Sequence, residues 1–160
     1  MSTAFTLSKE AEEFVKSELK RYETTYSAII PSLFRVQKEK GWVPPEAVPH
    51  LSGIMGIPEA HINEVLYFYT MFNKKPVGKF HVQVCTNISC SMNGGRELAN
   101  ALCKHYNVKD GEISGDGKVT VSRVECLGSC GTAPMMQVND QYIENLTPEL
   151  AIKKLKELGA

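Results

Sequence analysis

Two cysteine pairs constrain this chain more than any other feature. Cys85 and Cys90, in "VCTNISCSMNGG", are separated by four residues, Cys126 and Cys130, in "VECLGSCGTAPMMQVND", by three, and 35 residues lie between the pairs. Each pair follows a segment that alternates like a strand, so each sits where a strand runs out into a loop. If those strands are parallel neighbours joined by a crossover helix, both loops emerge at one end of the sheet and four sulfurs converge. Either pair alone offers half a site.

Why the chain keeps such thiols depends on its compartment. The opening "MSTAFTLSKEAEEF" lacks the basic head and apolar middle of a signal peptide. "VLYFYTMF" (65–72) falls far short of the ~20 apolar residues that span a bilayer. The expectation is a cytoplasmic chain without membrane insertion, where thiols stay reduced. Five cysteines then point to metal or redox chemistry rather than a disulfide framework. The 18 Lys and Arg balance the 18 Asp and Glu, so no global field draws in nucleic acid.

The first half reads as helices. Ala11, Phe14, Val15, Leu19 and Tyr22 recur at helical spacing after Ser8, with Glu10, Glu12 and Glu13 in the first turn. A second helix carries Tyr26, Ile29, Ile30, Leu33 and Phe34 and ends at "KGWVPP"; Pro31 requires it to begin near that residue or to kink there. Glu46 to Met55 reads as a short helix, and another with Pro58 in its first turn runs through Ile62, Val65, Leu66 and Tyr69.

"KKPVGK" breaks the pattern, which divides the chain into an N-terminal helical bundle (1–76) and a second domain (77–160). In the second domain Phe80, Val82 and Val84 share one strand face, "GGRELANALCKHYN" is a helix, and "GKVTVSRVEC", "PMMQVND" and "QYIEN" are strands. Thr147-Pro148-Glu149 opens a last helix. Strand, helix, strand, hairpin, helix describes a thioredoxin-like α/β layer.

Four thiolates suit a 2Fe–2S cluster, two per iron. The resulting net negative charge requires backbone N–H donors, and Gly94, Gly95, Gly128 and Gly131 let the main chain approach. No Lys or Arg lies inside either cysteine loop, which predicts a low reduction potential. The same pairs also suit a structural zinc ion in a colourless interaction module, although the long separation and the glycines favour the cluster. Cysteines unrelated to any metal are a third reading. Cys103 falls on an apolar helical stripe and reads as a buried, inert thiol. His50, His61, His81 and His105 make no paired ligand spacing, and "GEISGDGKV" lacks the first glycine and the Ser or Thr of a phosphate loop.

"FYTMF", "KPVGKFHVQVCTNISC", "ECLGSCGTAPMMQVND" and "YIENLTPE", with "IIPSLFRVQKEKGWVP" and "GIPEAHINEV" upstream, resemble the thioredoxin-like 2Fe–2S subunit family of NADH-quinone oxidoreductase, respiratory complex I. The likeness covers roughly residues 25–150 and extends beyond them. It implies that Cys85, Cys90, Cys126 and Cys130 all ligate one 2Fe–2S cluster. It also implies an electron-transfer subunit without a complete active site of its own. Its partner would be the flavin- and NADH-binding subunit that carries FMN and NAD, with which the cluster exchanges single electrons at the cytoplasmic face of the inner membrane. "SMNGG" departs from the family's commoner basic "LRG" after the second cysteine, which bears on a surface contact. Subunits of NAD-reducing hydrogenase and NAD-linked formate dehydrogenase are similar, and Ala133-Pro134 stands where thioredoxin-like folds commonly place a cis peptide. The extra N-terminal helices, with Tyr67, Phe68, Tyr69, Met71 and Phe72, imply a surface for a permanent partner or else a core of their own.

Overall fold

A computed structural model describes residues 5–160. The chain divides into two compact units, with the division between Pro76 and Val77.

The first unit is helical: α1 (Lys9–Arg21), α2 (Ile29–Lys40), α3 (Ala47–Met55) and α4 (Glu59–Phe68). Ser8 caps α1 by accepting the Ala11 N–H, and acidic Glu10 and Glu12 complement the positive end of the helix dipole. The buried stripe is Ala11, Val15 and Glu18; Phe14 and Tyr22, expected on it, are exposed. Tyr26 is likewise outside α2, in a 3-10 turn over Thr25–Ala28. α2 therefore begins at Ile29, and Pro31 falls in its first turn, where a missing N–H costs nothing. Gly41 and Gly56 close α2 and α3 in the left-handed conformation. Pro58 is the cap of α4 rather than its first residue. Leu33, Val36, Leu51, Ile62 and Phe72 make the core.

α1 and α2 are also joined at the surface. The Ser8 N–H and hydroxyl donate to the Glu39 carboxylate, the hydroxyl at 2.7 Å. These bonds, the Ser8 hydroxyl first and Lys40 next, pull the Glu39 pKa from 4.5 down to about 2. Because the folded pKa lies below the unfolded one, the contribution is complete above pH 4.5 and fades as pH falls towards 2. Glu39→Gln is expected to lower the urea midpoint of unfolding at neutral pH, modestly because the group is solvated. The gap from the unsubstituted protein should close near pH 2; a pH-independent gap would contradict this account.

The second unit is a four-stranded sheet in the order β2-β1-β3-β4, from β1 (Phe80–Cys85), β2 (Val119–Val124), β3 (Met136–Val138) and β4 (Gln141–Ile143). β1 and β2 are parallel in register from Phe80↔Val119 to Cys85↔Val124, and the other pairings are antiparallel. The remaining helices are α5 (Ile88–Met92), α6 (Gly95–Tyr106) and α7 (Pro148–Leu158). α6 makes the crossover that lets β1 and β2 run side by side. Val82, Val84, Leu98, Leu102, Val121, Met136 and Leu155 form the core between sheet and helices. The element order matches the sequence expectation except for α5, five residues long and too short to show a period.

Candidate metal centre

Both cysteine loops leave the same end of the parallel pair. After Cys85 the ladder continues for one residue, with the Thr86 N–H donating to the Val124 carbonyl at 2.9 Å. Asn87 then caps α5 by accepting the Ile88 N–H at 2.8 Å, and that single turn brings Cys90 back beside Cys85. Cys90 thus sits in a helical turn rather than the loop expected. Cys85 and Cys90 are buried against Met135 in a small apolar cluster of their own.

Beyond β2, Cys126 and Cys130 are exposed. Gly128 takes a positive φ of 76°, and its N–H points at the Cys126 sulfur from 3.3 Å. Cys130 opens a 3-10 turn to Thr132, and the Ala133–Pro134 peptide that follows is cis. The Ser89 hydroxyl donates to the Cys130 carbonyl at 3.0 Å, tying one loop to the other.

The four predicted cysteines line one cavity of about 520 Å³ with Asn87, Ile88, Ser89, Met92, Asn93, Gly128 and Ser129. None of these lining side chains is charged. Burial, then the neighbouring Cys85, pushes the Cys90 thiol up to about 11, opposed by the Met135 backbone. A bound cation would therefore have to displace a proton there. Among the described residues no group of three or more His, Cys, Asp or Glu side chains is placed closely enough to hold a metal ion. The sulfurs divide two and two, a buried pair and an exposed pair. As a donor set, four thiols in two pairs, with the Gly128 amide directed at one of them, suit a cluster that takes two thiolates per iron.

The glycines divide by role. A Cβ on Gly95 would lie 2.7 Å from the Cys85 carbonyl oxygen and 2.8 Å from that of Cys90, so α6 packs on both cysteines through a bare backbone. Gly94 and Gly128 supply positive φ instead, and a Cβ on Gly131 would meet nothing within 4 Å. The other candidates stand apart from the cavity. Cys103 is half-buried against the sheet core, and burial raises its pKa. His50 pairs with Glu12, His61 with Glu64 and His81 with Ser122, while His105 packs edge-on against Tyr106. Ser114 and Lys118 close on Asp116, which makes the glycine-rich segment the turn expected.

Sequence reasoning missed the contacts behind the second loop. The Tyr142 hydroxyl donates to the Leu127 carbonyl at 2.8 Å. The Glu144 carboxylate accepts the Ser129 hydroxyl and, at 2.7 Å, that of Thr132, and these bonds, Ser129 first, lower its pKa. The only hint was "YIEN", two polar groups alternating with an apolar one.

A family model described as thioredoxin-like [2Fe-2S] ferredoxin matches residues 15–159. An NADH-quinone oxidoreductase subunit of Rickettsia felis is 38% identical over 160 residues, covering 98% of this chain and 96% of that protein. Its counterpart in Rhizobium meliloti is 40% identical over 134 residues, with 84% and 80% covered. NADH-quinone oxidoreductase subunit 2 of Thermus thermophilus is 39% identical over 139 residues, with 85% and 77% covered. A crystal structure of an NAD+-reducing [NiFe]-hydrogenase superposes with a TM-score of 0.64 at 19% identity over 84% of this chain and 23% of that longer one, a likeness of fold. The chain belongs to the thioredoxin-like [2Fe-2S] ferredoxin family and groups within it with these subunits of NADH-quinone oxidoreductase.

Proposed function

We propose that this chain is the electron-relay subunit of an NADH-quinone oxidoreductase, holding one 2Fe–2S cluster on Cys85, Cys90, Cys126 and Cys130. The observation that carries this reading is the meeting of four cysteines from two distant loops in one cavity with a neutral lining. When bound, such a cluster supplies one-electron redox chemistry. The protein does the rest. β1 and α5 hold the buried pair, and the Gly128 backbone directs its amide hydrogen at the Cys126 sulfur. Ile88 and Met92, largely exposed at the cavity mouth, form an apolar rim that would exclude water once a partner covers it.

The partner in this reading is the flavin- and NADH-binding subunit, which carries FMN and NAD. The whole assembly lies against the cytoplasmic face of the inner membrane. No helix among the described residues is long and apolar enough to cross a membrane, so this chain would reach that surface only through its partners. In the first unit Phe72 is buried, whereas Tyr67, Phe68 and Met71 are exposed, and we assign those three to the partner-facing surface. Equivalent service in an NAD-reducing hydrogenase or a formate dehydrogenase would use the same residues. The extent and identity of the match to the quinone-oxidoreductase subunits favour the first assignment.

The test is to mix the anaerobically purified chain with the NADH-oxidising flavoprotein of its own complex and add NADH. Bleaching of the visible absorbance of this chain, dependent on the flavoprotein, is the expected result. A chain that stays oxidised while the flavin is reduced would defeat the proposal.

A further inference from the structure

The second cysteine loop lacks the burial that fixes the first. Cys126 and Cys130 are exposed, and between them the backbone has no regular element to lean on. Besides the Ser89 hydroxyl on the Cys130 carbonyl, what holds the loop is β4 and the two residues after it. Side chains alternate along a strand, so Tyr142 and Glu144 lie on one side while Ile143 packs towards the sheet core. Tyr142 reaches Leu127, and Glu144 reaches Ser129 and Thr132. The Asn145 N–H adds a bond to the Thr132 carbonyl at 2.9 Å. These anchors run from Leu127, the residue after Cys126, to Thr132, two beyond Cys130, so they enclose Cys130 and begin beside Cys126.

The same contacts decide where the hydroxyl protons go. Ser129 lines the cavity, and its hydroxyl is close enough to Thr132 for either to donate to the other. With both hydroxyls turned to the carboxylate, neither is offered to a sulfur, and the Gly128 amide is left as the donor to Cys126.

We infer that β4 is a strap for the second cysteine loop, and that Glu144 is the positioning residue that orients Cys126 and Cys130 for cluster binding. This rests on the cluster reading of the cavity. A carboxylate at the surface contributes little to global stability, so its loss is felt in the loop rather than in the fold.

The experiment compares the full-length protein with Glu144→Ala and Glu144→Gln, all loaded with cluster under argon. Glu144→Ala is expected to broaden the electron paramagnetic resonance signal of the reduced protein and to lose iron to a chelator several-fold faster. Glu144→Gln, whose amide oxygen can still accept both hydroxyls, is expected to restore the native line shape and rate. Unfolding temperatures should not differ. A Glu144→Ala protein that matches the native one in both readouts overturns the inference. So does a Glu144→Gln protein as impaired as Glu144→Ala, which would assign the effect to charge. If the native chain shows no binuclear signal, the cluster reading itself fails. The strap is then judged on the metal-free protein, where amide hydrogen exchange across residues 127–132 should be several-fold faster in Glu144→Ala, and equal exchange refutes it.

Discussion

Cys126→Ala is expected to give a folded, colourless protein. Cys126 is exposed, so the substitution opens no core cavity and leaves no buried polar group without a partner. Its effect falls on metal retention alone, and metal affinity should fall by more than the roughly 10–100-fold that loss of a merely supporting residue costs. Cys90→Ser behaves differently. Cys90 is buried beside Cys85 and Met135, and a hydroxyl there costs roughly 1–3 kcal/mol unless it finds an acceptor. Circular dichroism and iron analysis on the two variants therefore separate ligation from folding. A Cys126→Ala protein with its iron and colour intact would remove Cys126 from the ligand set.

Gly95→Val is expected to damage fold and site together. The first added carbon would stand 2.7–2.9 Å from the Cys85 and Cys90 backbones. Those atoms belong to the end of β1 and to α5, and they can yield only by moving the cysteines. Overpacking of this kind costs about 1–3 kcal/mol. For a unit of this size each kcal/mol lowers the melting temperature by roughly 4–8 °C. Gly131→Ala, one residue beyond Cys130, is the control, since its Cβ would meet nothing within 4 Å. Thermal unfolding of the metal-free variants reads the first effect and iron uptake the second. Equal behaviour of the two substitutions would contradict the packing.

The contrast between these glycines shows what the sequence could and could not convey. That four cysteines would meet was legible, because alternation in "KFHVQVC" and "GKVTVSRVEC" with a helix between them leaves a right-handed parallel crossover as the economical topology. Gly95 and Gly131 look alike in "NGGRE" and "SCGTA". Only the packed backbone shows that one is a close approach and the other has open space around it. The α1 stripe differs from its expected position for a related reason. Periodicity places Phe14 and Ala11 on neighbouring arcs of a helix, and which arc is covered is decided by α2 and α3. Tyr26 falls outside α2 because the turn before a helix has no periodicity to distinguish it from the helix. The contacts from Tyr142 and Glu144 join residues 12 to 15 apart across a chain reversal, where no local pattern records them.

One measurement bears most directly on the central claim that the two loops share a binuclear iron site. The full chain, purified without oxygen, is assayed for iron, acid-labile sulfide and zinc, then reduced with dithionite and examined by low-temperature electron paramagnetic resonance. The account predicts a red-brown protein with iron and sulfide in equal amounts and a rhombic signal from the reduced state. A colourless protein with stoichiometric zinc and no signal would contradict it.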